Sequence, residues 1–449
     1  MGDQNQKLWQ KSYSLDDKIE AFTVGRDREL DLELAPFDVL GSIAHAKMLS
    51  EIGLLTDDEF RQLAAELKAI YQKAIDGNFR IAAGIEDVHS QVEFELTKAL
   101  GDIGKKIHSA RSRNDQVLVD LRLYFRAEAQ EVIKQIETLS RTLSQQSEKY
   151  KNHLLPGYTH LQIAMVSSFG LWFGAYAESL IDDLQLWQSV YKVIDQNPLG
   201  SAAGYGSSFP INRKRTTELL GFSDLAYNVV HAQMGRGKTE LMLGFALAST
   251  AQTVGKLAMD VCLYNSQNFG FIELPKEMTT GSSIMPHKKN PDVFELIRGR
   301  CNQLQSLPAQ LSQMTASLPS GYHRDFQLLK EVAFPALQQM KSCLDICTYA
   351  ISQLKVKEDL LAHPKYALLY SVEAVNAEVL KGTPFRDAYQ KIGQQIEAGN
   401  FTPPTALSHT HEGSLGNLCT TKITAKLNRV MEGFDFGYAE ERLAALLEL

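Results

Sequence analysis

The longest uninterrupted helical pattern in the chain lies between Lys105 and Leu155, a stretch that contains neither proline nor glycine. Apolar residues recur in it at intervals of three and four, which is the spacing of one face of an α-helix. This stripe consists of Leu118, Leu121, Phe125, Ala129, Val132, Ile136, Leu139 and Leu143. A helix from Asp115 to Lys149 would be about 50 Å long at about 1.5 Å per residue. Because such a helix needs apolar partners along its whole length, the pattern predicts a bundle of long helices.

Further helical patterns support this architecture, and the alternation typical of strands is scarce. Four more long helices are predicted at about residues 167–194, 239–268, 291–316 and 334–354, and two shorter ones at 36–52 and 56–76. The sequence therefore predicts an all-α fold with a central bundle of long helices, residues 105–354, that carries an oligomer interface. Two smaller, mainly helical domains are expected to flank it, at residues 1–104 and 355–449.

The composition disfavours several classes of protein. A net charge of −7 argues against a nucleic-acid-binding protein, which would need a basic face. The longest apolar segment, residues 241–259, is interrupted by serine, threonine, glutamine and lysine, so it is interpreted as a buried helix and not as a membrane span. The five cysteines form no CxxC pair, and the polar start of the chain does not resemble a signal peptide. A cytoplasmic protein is the simplest expectation.

One loop carries most of the chemical information: Gly281-Ser-Ser-Ile-Met-Pro-His-Lys-Lys-Asn290. Its glycine and serines allow the backbone to approach a ligand closely, and Lys288 and Lys289 supply positive charge. Asn290 and Pro291 are typical of an N-cap and of a first helical residue. Because the N-terminus of a helix favours anions, the loop predicts a small anionic substrate that is held while a proton is moved.

Three further polar clusters lie between the predicted helices. The segment 108–115 precedes the longest helix, the segment 156–162 follows it, and the segment 322–330 precedes the last long helix. Taken alone, each also fits a structural role. These roles are an N-cap at Asn114 or Asp115 beside surface arginines, a histidine in a turn, and a solvated helix face.

Together the four clusters resemble the fumarase/aspartase superfamily, whose members eliminate fumarate from substrates that carry a succinyl group. Residues 281–290 match the superfamily's Gly-Ser-Ser-x-Met-Pro-x-Lys-x-Asn at each specified position. The segments 112–115 and 157–162, and the order Tyr322, Gln327 and Lys330, are similar specifically to the argininosuccinate lyase family. The resemblance extends over nearly the whole chain.

The resemblance implies which residues carry the reaction. Ser282 is expected to act as the base and His160 as the acid, with Glu295 orienting the histidine. Lys288 and Asn290 are expected to stabilise the extra negative charge that collects on a substrate carboxylate when the neighbouring carbon loses its proton. Further substrate-binding residues are expected at Ser112, Arg113, Asn114, Thr159, Tyr322, Gln327, Lys330, Asp87, His89 and Arg236. The resemblance implies no metal ion and no organic cofactor.

The predicted site residues lie at opposite ends of the longest helix. Asn114 precedes that helix and His160 follows it, so they are separated by about 50 Å. One subunit cannot easily bring them together. The resemblance implies a homotetramer in which several subunits contribute to each site, with no nucleic-acid or membrane partner.

Some positions depart from the family pattern. Ile163 and Met165 stand where the family usually has arginine and glutamine, His287 replaces a usual glutamine, and a usual Ser-Asp-Arg-Asp is replaced by residues 234–237. These changes fall among the residues that recognise the substrate. We therefore hypothesise that the substrate could be an α-N-acylated argininosuccinate, whose added carboxylate meets Arg26, Arg236 or Lys238.

Two other functions remain open on the sequence. An adenylosuccinate lyase is the alternative enzyme, although the segments 112–115 and 157–162 argue against it. The other is a non-catalytic structural protein on the same scaffold, like the lens crystallins of this family. Retention of Ser282, His160 and Lys288 together argues against that alternative, because structure alone does not require all three.

Overall fold

The computed structural model of this protein describes residues 16–404, 407 and 409–449. In that part of the chain helices dominate and strands are few and short, so the predicted all-α class is confirmed. The helices are α1 (Asp17–Val24), α2 (Asp27–Glu51), α3 (Asp57–Ile75), α4 (Val88–Leu100), α5 (Asp102–Lys105), α6 (Arg113–Lys149), α7 (Phe169–Ile194), α8 (Arg213–Leu219), α9 (Val229–Asn265), α10 (Asp292–Leu304), α11 (Leu307–Met314), α12 (Leu329–Gln353), α13 (Ser371–Leu380), α14 (Phe385–Glu397), α15 (Thr420–Met431) and α16 (Phe436–Glu448).

Strands occur only in pairs among the described residues. β1 (Leu154–Thr159) and β2 (Gln162–Ser168) form an antiparallel hairpin. β3 (Gln196–Asn197) runs parallel to β4 (Asp224–Leu225), and β5 (Ile272–Glu273) runs antiparallel to β6 (Lys355–Val356). The two short pairs lie in connections between helices, whereas the hairpin packs against the core of the bundle through Leu155 and Tyr158 and exposes its tip.

Helix α6 is the axis of the fold, and all eight residues of its predicted apolar stripe are buried. It has 37 residues, which makes it about 55 Å long. Its N-cap is Ser112 and not Asn114 or Asp115. The hydroxyl of Ser112 accepts a hydrogen bond from the amide of Asn114, and the carboxylate of Asp115 accepts one from the amide of Ser112.

The central bundle consists of α6, α7, α9, α12 and the consecutive pair α10 and α11 around one large apolar core. The single helix predicted at 291–316 is two helices, because Pro308 begins a new one at its first turn. Helix α9 starts ten residues before the predicted 239, and α12 starts five residues before the predicted 334. Among the described residues, every helix is too short or too polar to cross a lipid bilayer.

A second apolar core lies between α2, α3 and α4 and the first turns of α6, where it includes Val119 and Leu123. Helix α16 returns to this core from the far end of the chain and contributes Leu446. A small third core joins α13 and α14 through Val375, Ala388 and Ile392. The domain boundaries at 104/105 and 354/355 stay predictions.

Candidate active site

A cleft of about 240 Å³ opens at the N-terminal end of α6, and it is called the α6 cleft below. The cleft is lined by residues from α2, α4 and the loop before it, α6, α9, the first turn of α12 and the segment before α12. Eight predicted site residues are among them: Asp87, His89, Arg113, Asn114, Arg236, Tyr322, Gln327 and Lys330. The helix caps explain part of this convergence. Asp87 is the N-cap of α4 and Ser112 the N-cap of α6, so both helix N-termini face this region.

Lys330 is a buried cation in the α6 cleft. Its ammonium group is buried between the carboxylates of Asp27, at 2.8 Å, and Asp31. Burial raises the pKa of Asp27 to about 6, although the positive charge of Lys330 opposes that shift. One ammonium group that faces two carboxylates is balanced in charge when one carboxyl is protonated, and the raised pKa of Asp27 favours that state.

Sequence reasoning missed five residues that line the same cleft: Asp27, Asp31, Glu86, Val117 and Arg324. The one usable signal was the spacing of Asp27 and Asp31, which places two carboxylates one helical turn apart on α2. Arg324 donates to the carbonyl of Thr23, at 2.9 Å, and to Glu86, at 2.7 Å. The side-chain amide of Gln327 also donates to the carbonyl of Thr23, so this segment holds the end of α1 against the cleft.

A break inside α9 positions Arg236. The backbone leaves the helical region at Arg236 and Gly237, and Gly237 has φ 80°. A Cβ at Gly237 would lie 2.8 Å from a methyl group of Thr315, so the site requires glycine. Glu240 accepts the amide of Gly237 at 2.7 Å and pairs with the guanidinium of Arg236 at 3.1 Å. The break thus turns Arg236 towards the α6 cleft.

The cations suggested for an acylated substrate are placed differently from one another. Arg236 lines the cleft. Arg26 is exposed and pairs with Glu29 at 2.7 Å, and Lys238 is exposed on α9. Only one of the three therefore lies among the cleft-lining residues.

His160 and Thr159 lie at the tip of the β1–β2 hairpin, where the sequence had suggested only a loop. The turn has two residues, His160 with φ 54° and Leu161 with φ 57°. Both lie in the left-handed region, which such turns usually fill with Asn-Gly because side chains with a Cβ are strained there. The tip is exposed and apolar: Leu161, Ile163 and Met165 all face solvent in the single chain.

The 281–290 loop is closed at its base by backbone hydrogen bonds between Thr280 and Asn290, the shorter of them 2.8 Å. Ser282 is half-buried, and its hydroxyl oxygen accepts the amides of Ile284, at 3.3 Å, and Met285, at 3.1 Å. Two amide donors stabilise negative charge on that oxygen. Lys288 is exposed on the same loop.

Two expectations concern the end of the 281–290 loop and the helix that follows it. The N-cap of α10 is Pro291 and not Asn290, so the helix begins at Asp292. The side chain of Asn290 instead donates to the hydroxyl of Thr280, at 3.4 Å. Glu295, expected to orient His160, is exposed and lies 4.0 Å from Arg298. Within one chain Glu295 therefore has a local partner.

The cleft, the hairpin tip and the 281–290 loop are separate within one chain. The hairpin follows the C-terminal end of α6, where Gln146 donates to the carbonyl of Ile351 at the end of α12. The 281–290 loop lies at the same end, between β5 and α10. The α6 cleft lies at the other end, about 55 Å away. Among the described residues, no hydrogen bond or ion pair joins Asn114 to Ser282 or to His160.

Comparison with known proteins places the chain in a family. Residues 2–306 match a family model described as lyase. The argininosuccinate lyase of Bacteroides thetaiotaomicron is 60% identical over 442 residues, which cover 98% of this chain and 99% of that relative. The argininosuccinate lyase of Thermotoga neapolitana is 37% identical over 87% of this chain and 98% of its own length.

Two solved structures show the same fold at low identity. An EDDS lyase in complex with formate has a TM-score of 0.76 at 20% identity, and the match covers 97% of this chain and 95% of that one. A class II fumarase from Schistosoma mansoni has a TM-score of 0.67 at 16% identity, over 92% of this chain and 95% of that one. With the lyase relatives matching over nearly its whole length, the chain belongs to the argininosuccinate lyase family of the fumarase/aspartase superfamily.

Proposed function

We propose that this protein cleaves argininosuccinate into arginine and fumarate, as an enzyme of arginine biosynthesis. Relatives named argininosuccinate lyase, which are 60% identical to this chain over 98% of its length, support this activity. The observation that carries it in the structure is the α6 cleft, where eight residues expected to bind the substrate line one cavity. No finding favours adenylosuccinate lyase or a structural protein over this activity.

In the proposed reaction Ser282 removes a proton from the methylene carbon of the succinyl group, which is bonded to the carbon that carries the departing nitrogen. The electron pair moves into the new C=C bond as the C–N bond breaks, and His160 returns a proton to the leaving nitrogen. The amides of Ile284 and Met285 already point at the hydroxyl oxygen of Ser282, so its deprotonated form meets two donors. Lys288 and Asn290 balance the charge that develops on the substrate carboxylate.

The proposed enzyme is a homotetramer whose sites are shared between subunits. This assembly is supported by the distance between Asn114 and Ser282, which lie near opposite ends of α6. Residues at opposite ends of a helix about 55 Å long cannot meet in one site of a single subunit. It is also supported by exposed apolar side chains near the proposed catalytic groups, Leu161 at 71% and Ile284 at 82% exposure. We place the protein in the cytoplasm, since its five cysteines are all free thiols.

The activity is tested by following fumarate's ultraviolet absorbance when the purified protein is mixed with argininosuccinate. We expect turnover of argininosuccinate and none of adenylosuccinate. An α-N-acylated argininosuccinate serves as the third substrate. A strong preference for that compound would support an acylated substrate, and turnover of adenylosuccinate alone would overturn the proposed activity.

Sharing of sites is tested with two inactive variants, Asn114→Ala and Ser282→Ala, expressed together. If each site takes these two residues from different subunits, random assembly restores about one quarter of the wild-type activity. Each variant alone should stay inactive. A mixture that is no more active than its components would show that both residues come from the same subunit.

A further inference from the structure

A buried ionisable cluster lies directly under the α6 cleft and takes no part in the proposed proton transfers, although its histidine is one of the expected substrate-binding residues. It consists of Asp38 on α2, His89 on α4 and Asp120 on α6, which are 2%, 6% and 1% exposed. The Nδ1 atom of His89 lies 2.7 Å from an oxygen of Asp38 and 3.5 Å from an oxygen of Asp120. The cluster therefore ties three helices together at the floor of the cleft.

The two carboxylates have few other hydrogen-bond donors. Both oxygens of Asp120 and the second oxygen of Asp38 are buried without a hydrogen-bond partner. Burying carboxylates is costly unless a cation lies beside them, so the cluster favours a positively charged His89. The other charged groups that act on the cluster are Asp87 and His108, which act on His89, Arg111, which acts on both carboxylates, and Asp31, which acts on Asp120. Burial and the negative charges of Asp38 and Asp31 raise the pKa of Asp120, and the positive charges of His89 and Arg111 oppose that shift.

A second buried histidine shows what the carboxylates contribute. His45 is also fully buried, but its ring nitrogen meets the carbonyl of Ser109 at 2.8 Å and no carboxylate. Burial lowers the pKa of His45 to about 3. Burial alone would act the same way on His89, but the hydrogen bond that His89 donates to Asp38 and the charges of Asp38, Asp120 and Asp87 outweigh it and raise the pKa of His89 to about 9.

His89 also lines the α6 cleft. Because Nδ1 is taken by Asp38, Nε2 is the ring nitrogen left for a ligand, and it carries a proton whenever the ring is charged. We propose that Asp38 and Asp120 are positioning residues that hold His89 as an imidazolium, so that it binds a substrate carboxylate in the α6 cleft. This role depends on the proposed lyase function in one respect only, which is that the bound carboxylate belongs to argininosuccinate.

The charge of His89 is measured without turnover, by hydrogen–deuterium exchange at the C2 position of each histidine, followed by mass spectrometry across pH. We expect a midpoint near 9 for His89 in the wild-type protein. Asp38→Asn and Asp120→Asn should each lower it by at least one pH unit. Asp183→Asn is the matched control, because that buried carboxylate accepts from Ser249 and Thr253 far from the cleft, and it should change nothing.

The consequence for binding is measured as KM against pH. A raised pKa means that the charge is present below about pH 9 and is lost above it, so the wild-type KM should rise only at alkaline pH. In Asp38→Asn the rise should begin at least one pH unit lower, with kcat changed far less than KM. A wild-type His89 midpoint at or below 6.5 would overturn the proposal, and so would a KM profile identical in both proteins.

The three side chains also satisfy the geometry of a metal site, since their ligand atoms all lie within 4.8 Å of one another. We infer that the second charge-balancing group in this cluster is the proton of His89 and not a metal ion. Dialysis against EDTA should therefore leave the exchange midpoint and KM unchanged, and a shift restored by zinc or manganese would overturn it. If argininosuccinate is not the substrate, the exchange midpoints still decide the charge of His89.

Discussion

Ser282→Ala is expected to lower kcat for argininosuccinate by about 10²- to 10⁴-fold, the usual range for loss of a proton-transferring group. Alanine keeps the backbone of the loop but removes the oxygen to which the amides of Ile284 and Met285 donate. KM should change little if the α6 cleft holds the substrate. Steady-state kinetics by fumarate absorbance measures both constants.

Ser283→Ala is the matched control, because Ser283 is the exposed neighbour on the same loop. Its kcat should stay within a few-fold of wild type, and both variants should assemble and melt like the native protein. A Ser282→Ala protein of normal assembly that turns over at the wild-type rate would exclude Ser282 as the base.

Lys330→Met is expected to lower the free energy of unfolding by about 3–5 kcal/mol, because it leaves two buried carboxylates without their cation. Lys330 is 4% exposed, and its partners Asp27 and Asp31 are also largely buried. Substrate binding should be lost together with stability. Denaturant unfolding at constant protein concentration measures the effect.

The loss of stability in Lys330→Met should depend on pH. The folded pKa of Asp27, about 6, is already above its ordinary 3.8, so protonation of this carboxyl favours the folded state as the pH falls through that window. Without Lys330 the preference for the protonated form grows. The difference from wild type should therefore be larger at pH 8 than at pH 5.

Lys381→Met is the control for the removal of a lysine. Lys381 pairs with Glu378 on the surface, and its side chain is 70% exposed. This pair should contribute less than about 1 kcal/mol at any pH. A Lys330→Met protein that is no less stable than this control would contradict the buried-pair account.

Regular periodicity made the bundle predictable, and local exceptions to it were missed. The stripe on α6 follows one repeat over many turns, so its burial could be read from spacing alone. The start of α9 was predicted too late because Gly235, Arg236 and Gly237 look like a helix stop. They form instead a break that Glu240 caps inside a longer helix.

The hairpin was missed for a related reason. Pro156 and Gly157 suggest a loop, and His160-Leu161 gives no turn signal, because two-residue turns of this shape normally carry Asn-Gly. Only the pairing of β1 with β2 shows that these residues form one hairpin.

The residues of the candidate site also divide into those that the sequence predicted and those that it did not. Short motifs identified Arg113, Asn114 and the 281–290 loop, because each motif is contiguous in sequence. The partners of Lys330 lay beyond such reasoning, since Asp31 is 299 residues away in the chain. The contacts of His89 with Asp38 and with Asp120 likewise depend on how α2, α4 and α6 pack, which the spacing of residues in the sequence does not encode.

The left-handed turn at His160 and Leu161 lowers the stability of the fold and carries the proposed catalytic histidine. Replacing the pair with Asn-Gly would relieve backbone strain of about 1–3 kcal/mol per residue, yet would discard the imidazole. Selection for thermal stability alone would therefore favour Asn-Gly at this turn. A lineage that keeps the histidine there accepts a less stable fold and retains the residue that we propose as the proton donor.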